Sequence, residues 1–339
     1  MSTNDTVNIA IVGCGGMAHW HVENYQKIPQ ARLVAFVDVD EKKTEEFRSR
    51  YAKQAAVYSS LDQLIASRPA ELHGVTLVTP HTLHFGQATT ALEAGLHVLV
   101  EKPMVTSTPH AMRLWQSVKD SGKKLGISFQ APYTREYQAI KNMRTAGTLG
   151  KIQLIQGWLA QGWLKGSKGT WRQDPSLSGG GQMYDSGAHV LNGMMWIMNE
   201  PVVEVSCMYD TLGAPVDING VAILRFASGA MGSVALGGNS PGWDVEVRVQ
   251  TDKLQLRTGP HGGWLNASSD HKPFDIALPN HDVPAAFTPH GNFVRSILGL
   301  EELQAPVRYG ALLSALMDAM YESAAQKRPI TVKPVPDEL

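Results

Sequence analysis

Three residues in this 339-residue chain stand where charge could act on a bound molecule. Lys102 lies between Glu101 and Pro103, directly after the apolar run His97 to Val100, while Asp185 and His189 follow the run Ser178-Gly179-Gly180-Gly181. An acid one helical turn from a histidine orients the imidazole and favours its charged form, which suits a group that takes up a proton near neutral pH. With Asn192 at i+7, these polar residues are expected on one face of a helix whose other face carries Leu191, Met194, Met195 and Met198. An isolated pair of this kind more often faces solvent, but the glycine run beside it is backbone that a ligand can approach closely. Lys102 competes with a plainer reading as a solvated charge at a strand end. Pro103 fixes φ and donates no hydrogen bond, so the lysine leaves the strand on a restricted turn.

The elements that must position Lys102 alternate regularly. VNIAIV, residues 7 to 12, is a short apolar run that ends in Gly13-Cys14-Gly15-Gly16-Met17-Ala18, and a helical stretch through His21, Tyr25 and Ile28 follows. A second apolar run, Arg32 to Val37, stops at Asp38. Strand, glycine turn, helix, strand and acid in that order form a dinucleotide fingerprint. Gly13 permits the turn, Gly15 lets backbone approach a pyrophosphate, Ala18 allows close helix packing, and the helix N-terminus faces the phosphates. Asp38 would accept from ribose hydroxyls and, with Asp40 and Glu41, repel a 2′-phosphate, so NAD is favoured; Lys42 and Lys43 leave NADP open. The competing role for Asp38 is a helix N-cap. Alternation continues through a helix at 61 to 65, a strand at 74 to 78, a helix opened by Thr79-Pro80-His81-Thr82-Leu83-His84 and closed by Gly95, a strand at 97 to 100, a helix at 109 to 120 and a strand at 124 to 129. This is the pattern of a doubly wound parallel sheet, in which ligands lie beyond the carboxyl ends of the strands. Gly13, Asp38, Thr79 and Lys102 all fall at those ends.

From Lys151 the texture changes to longer strands with alternating burial, at 152 to 159, 202 to 209, 219 to 226, 230 to 236 and 245 to 251, with Ser228-Gly229 as a hairpin turn. An open, mostly antiparallel sheet is expected, with one face covered by helices. Two helices, 293 to 298 and 311 to 326, close the chain. The expected class is therefore α/β followed by α+β, with a nucleotide-binding domain over 1–128 and a substrate-binding and oligomerisation domain over 129–339. Charge is nearly balanced, with a formal net of -1 and no basic stripe, which argues against a nucleic-acid partner. No apolar run reaches the length of a membrane span, and two distant cysteines, Cys14 and Cys207, suit a reducing compartment. A cytoplasmic protein without membrane attachment is expected. The pairs His19 and His21, and His81 and His84, lack a third ligand at metal spacing, so no metal is assigned.

Taken together, GCGGMA, Asp38, TPHTLH, EKP and the later YDSGAH resemble the glucose-fructose oxidoreductase, inositol dehydrogenase and MocA-like family. The resemblance covers nearly the whole chain. It implies a nucleotide-binding domain followed by an open-faced sheet, with hydride transfer between a nicotinamide cofactor and one secondary alcohol carbon of a sugar, sugar derivative or cyclitol. It implies Lys102 as the reactive lysine, with Asp185 holding His189, and leaves open which of Lys102 and His189 takes the proton. Cofactor contacts are expected from Gly13, Gly15, Gly16, Met17, Asp38, Thr79, Pro80, His84, Glu101, Lys102, Trp171 and Arg172. Substrate contacts are expected from Lys102, Gln130, Tyr133, Trp163, Trp171, Arg172, Asp185 and His189, with Lys165, Lys168, Asp174, His290 and Asn292 as weaker candidates. The chain departs from the family at Asn192, where an acid is usual, and after the fifth strand, where the usual arginine is missing and SFQAPYTREY has its first arginine only at Arg135. Homodimers or homotetramers are implied. Two other functions fit the same fold: redox-neutral glycoside cleavage through transient oxidation by bound NAD, and a non-catalytic nucleotide-binding regulator.

Overall fold

The computed structural model describes residues 6–67, 71–258, 265–279 and 288–337. Six strands, β1 (Val7–Val12), β2 (Ala31–Val37), β3 (Ala56–Tyr58), β4 (Leu72–Leu77), β5 (His97–Val100) and β6 (Leu125–Ile127), form one sheet in the order β3-β2-β1-β4-β5-β6. All its pairs are parallel. Every residue of β1 is buried, because helices cover both faces of the sheet. The short strand β3 carries no clear alternation in sequence and was not expected.

Register decides where the ends of these strands meet. Val12 pairs with Val37 and Leu77, Leu77 with Val100, and Val100 with Ile127. The residues that follow, Gly13, Asp38, Val78-Thr79 and Glu101-Lys102, therefore leave along one edge. Gly13 has φ +94, and a Cβ there would lie 2.8 Å from the Val78 carbonyl carbon, so both the turn and the packing require glycine.

The second sheet contains β7 (Ile152–Ala160), β8 (Val202–Asp210), β9 (Asn219–Phe226), β10 (Met231–Gly237), β11 (Asp244–Thr251), β12 (Gln255–Thr258), β13 (Leu265–Ser269), β14 (Lys272–Asp275) and β15 (Ile330–Thr331). Their order is β14-β13-β12-β11-β7-β10-β9-β8-β15, antiparallel except where β7 and β10 run parallel. The helix Gly187–Met198 lies on its inner face and comes closest at Gly157 of β7. A Cβ at Gly157 would meet Met194 Sδ and Val190 Cγ1 at 2.6 Å each. The outer face leaves Trp158, Met208, Val221, Ile223 and Met231 exposed. There Glu246 is clamped between Arg248 and Arg257.

The two sheets share a core. Side chains of β1, β4 and β5 belong to one apolar cluster with those of the helix Gly187–Met198 and the helix Val307–Gln326. Asp318 of that last helix accepts from both the N–H (2.8 Å) and the hydroxyl (2.6 Å) of Thr108 at the start of the helix Thr108–Ser121. The helix Pro289–Ile297 crosses back, placing Phe293 and Val294 among Val7, Ile9, Ile11 and Leu99.

Candidate active site

At the carboxyl edge of the first sheet, a cavity of ≈ 450 Å³ is lined by Gly15, Gly16, Met17, Val78, Thr79, His81, Glu101, Lys102, Trp171, Arg172, Asp185, Ser186 and His189. Lys102, Asp185 and His189 thus border one space, together with the glycine turn and the Trp171-Arg172 pair. A larger hollow of ≈ 670 Å³ on the outer face of the second sheet, lined in part by Arg248, Arg257 and Phe274, includes none of these groups.

Lys102 follows β5, where Glu101 N–H donates to Leu77 O at 2.9 Å, and the Lys102–Pro103 peptide bond is cis. Its ammonium donates to Asp185 Oδ1 at 2.6 Å and to the Asp185 carbonyl at 3.0 Å. Trp163 Nε1 (2.8 Å) and Arg172 Nε (3.0 Å) donate to Asp185 Oδ2. Burial alone would raise the Asp185 carboxyl, but the charges of Lys102 and Arg172 hold it well below the usual carboxylate range. An ammonium has three donors, so Asp185 leaves Lys102 one N–H for the cavity.

Asp185 does not hold His189 as expected. The backbone stays helical through Ser186 (φ -81, ψ -33), so the two residues keep their one-turn spacing, but the carboxylate is engaged elsewhere. Both carboxylate oxygens are taken by Lys102, Trp163 and Arg172. His189 is instead held down at about 4 by burial and Lys102, which outweigh Glu101 and Asp185. At neutral pH it is an uncharged imidazole able to accept a proton. Asn192 is sealed in the core, with neither side-chain polar atom bonded among the described residues.

Glu101 reaches the cavity from a buried chain. Its Oε1 lies 2.8 Å from His21 Nε2, and His21 Nδ1 lies 2.8 Å from His290 Nε2. Oε2 accepts the Lys102 N–H at 3.2 Å. Against burial, the hydrogen bond and charge of His21, then the charge of Lys102, lower Glu101 to about 2.

Gly15 and Gly16 border open space, since a Cβ on either would meet nothing within 4 Å among the described residues. The helix Gly16–Tyr25 that starts there has no side-chain cap and no acid in its first turn. Its free N–H groups fit an anionic pyrophosphate. Asp38 braces this turn, accepting from Cys14 N (2.8 Å) and Asp40 N (2.9 Å), while the cap of the next helix is Asp40.

Sequence comparison places both halves of the chain in one family. Residues 7–129 match the family described as "Oxidoreductase family, NAD-binding Rossmann fold", and residues 137–257 match the "GFO/IDH/MocA C-terminal domain". The chain belongs to the Gfo/Idh/MocA oxidoreductase family. Relatives include levoglucosan dehydrogenase of Pseudarthrobacter phenanthrenivorans, 26% identical over 269 residues that span 70% of this chain and 68% of that one. An inositol 2-dehydrogenase of Rubrobacter xylanophilus is 24% identical, spanning 77% of this chain and 74% of that one. A solved levoglucosan dehydrogenase in complex with NADH has the same fold, with a TM-score of 0.88, 20% identity and coverage of 97% of this chain and 100% of that one.

Several residues singled out within this Gfo/Idh/MocA chain lie elsewhere. His84 is buried beneath the cavity floor, with ring nitrogens 2.9 Å from the carbonyls of Pro103 and Thr79. Gln130 is exposed and Tyr133 buried, its hydroxyl on Asn292 Oδ1 at 2.9 Å; neither lines the cavity, because β6 turns away into a helical stretch. Pro80 does not line it either, and His290 faces His21. Trp163 is 7% exposed and braces Asp185 through its N–H, so its ring is no open platform. Lys165, Lys168 and Asp174 are exposed.

The glycine run admits protein rather than ligand. A Cβ at Gly179 would strike Thr106, at Gly180 Tyr321, and at Gly181 the Asp217 carbonyl. Asp217, which sequence reasoning missed, accepts from Gly181 N and Met183 N at 2.7 Å each and from the Tyr321 hydroxyl at 2.5 Å. It anchors the segment that delivers Asp185. An isolated aspartate between two strands carries no motif.

Proposed function

We propose that this oxidoreductase transfers hydride between NAD and a secondary alcohol carbon of a sugar, sugar derivative or cyclitol. The observation that carries the reading is the pairing of Lys102, its ammonium fixed by Asp185 with one donor left over, with an uncharged His189 on the same cavity. A nicotinamide dinucleotide bound along Gly15 and Gly16 supplies the hydride acceptor or donor.

The reacting hydroxyl lies between Lys102 and His189. His189 takes its proton, and the free Lys102 N–H donates to the oxygen as negative charge develops there, an interaction strongest in the transition state. Toward the alcohol, Lys102 polarises the carbonyl and protonated His189 returns the proton. Asp185 keeps the ammonium in place and offsets its charge when the site is empty. Residues 1–128 supply most of the cofactor wall, with Trp171 and Arg172 added from 129–339, and Asp38 selects NAD through the ribose. The apolar outer face of the second sheet supports assembly with further copies of the chain, which light scattering in solution tests.

The reading is tested by following absorbance of the reduced cofactor over a panel of sugars and cyclitols with NAD and NADP in parallel. Steady NADH formation with a polyol is expected, and is not expected of a redox-neutral glycosidase. A chain in which Lys102→Ala leaves turnover intact would not work this way.

A further inference from the structure

His81 has no part in the reaction as written, yet it stands in the cavity wall between Trp171 and the Lys102 and Asp185 pair. It is 3% exposed, and its ring meets Trp171 edge-on with centroids 4.7 Å apart. Its Nδ1 lies 2.9 Å from the Ser178 carbonyl oxygen. A carbonyl only accepts, so Nδ1 carries the hydrogen. Burial dominates over the pull of Asp185, and Lys102 and His84 add to it, so the ring stays neutral. Nε2 is therefore a bare lone pair.

That lone pair faces Asp185 Oδ1 at 3.8 Å, an atom that also only accepts and is already engaged by Lys102. Among the described residues no hydrogen bond reaches Nε2. A purely structural histidine would need only its Nδ1–H. An acceptor turned toward the reacting pair calls for a donor from outside the protein.

We propose that His81 Nε2 accepts a hydrogen bond from the hydroxyl next to the carbon being oxidised. The site then recognises a vicinal diol, one hydroxyl held by Lys102 and His189 and its neighbour by His81. Neighbouring hydroxyls of a polyol lie about a hydrogen-bond length apart, and His81 and Lys102 stand side by side at the same Asp185 oxygen, so adjacent hydroxyls fall to adjacent side chains. His81 is a specificity-determining residue here, and the inference rests on the reading given under Proposed function.

The experiment crosses substrate with protein. Turnover of myo-inositol, levoglucosan and D-glucose is compared with that of monodeoxy analogues lacking a hydroxyl beside the reacting carbon, in the unaltered chain, His81→Phe and His81→Gln. NADH binding is followed by fluorescence. In the unaltered chain, loss of the neighbouring hydroxyl should lower kcat/KM by roughly ten- to a hundredfold. His81→Phe should lose as much on the parent polyol and nothing more on the analogue, while His81→Gln, which keeps an acceptor, recovers part of the difference. Equal losses on parent and analogue in His81→Phe would overturn the proposal, leaving the general function intact. So would a deoxy effect below about twofold in the unaltered chain, a result independent of how the variants fold. If the unaltered chain binds NADH but turns over none of the three parents, the functional reading falls and this one with it.

Discussion

Glu101 and Asp185 are both ionised carboxylates on one cavity, but the walls that present them are built differently. Glu101, from the first sheet, is fixed from behind by His21 and His290 and by a backbone N–H. Asp185, from the second, is fixed from in front by Lys102, Arg172 and the Trp163 indole. One acid is backed by buried imidazoles that take no part in chemistry. The other spends its lone pairs on the groups that do. The first wall is thus a fixed frame, and the second couples its own stability to the placing of the reactive ammonium.

That contrast can be broken by substitution, and the largest effect is expected at Lys102. Lys102→Ala should lower kcat by about a thousandfold while NADH binding, read by fluorescence, stays within a few-fold. A collapse of NADH binding would move Lys102 from the chemistry to the frame. Next comes Asp185→Asn, which leaves Lys102 and Arg172 without their counter-charge. A drop in kcat of about a hundredfold, together with about 3 kcal/mol of lost stability in denaturant titration, is expected. Activity lost without stability would show that the second wall is not coupled as described. Glu101→Gln keeps an acceptor and should cost about tenfold or less, which makes it the direct counterpart.

Two smaller effects concern the histidines. His81, His97 and His189 are held at about 3, 4 and 4, each chiefly by burial. The unfolded chain binds protons at these sites from about pH 6.5 downward while the folded chain does not, so stability should fall as pH drops from about 6.5 toward 4. Tm measured across that range checks the sign. In the same range kcat/KM should hold, declining only as His189 is protonated near 4, provided the folded enzyme persists. The smallest expected effect is His290→Leu, which unlinks His21 from behind at a cost of about 1 kcal/mol without changing the activity limb.

The first wall was the more legible in sequence, for a physical reason. Thr79, Asp38 and Gly13 are each the residue just after an apolar run and Lys102 is one residue further, so strand register alone brings them together. The glycine turn is likewise local, with Gly13 fixed by φ and Gly15 by the space beyond it. What lay behind this wall was hidden, since His21 and His290 meet across 269 residues of chain. The second wall depends on such long-range contacts throughout. A continuous helical spacing suggested that Asp185 serves His189, but three competing donors reassign it. The glycines beside it did mark close approach, though of Thr106, Tyr321 and Asp217 and not of a ligand. Tyr133 and Gln130 were placed at the site by their position after a strand, whereas β6 is only three residues long and its exit turns into a helical stretch.

The parallel pairing of β7 with β10 has a consequence for how the second wall comes into being. The connection between those strands runs from residue 161 to residue 230 and contains Trp163, Trp171, Arg172, Asp185, His189 and Asp217. All the functional side chains of that wall are therefore carried on one connection, which also holds the helix Gly187–Met198 and the strands β8 and β9 and whose ends meet where β7 pairs with β10. Such closure costs chain entropy before its contacts repay it. Asp185 is thus delivered to the reactive ammonium by chain whose two ends are joined at the β7–β10 seam, and not by a neighbouring turn.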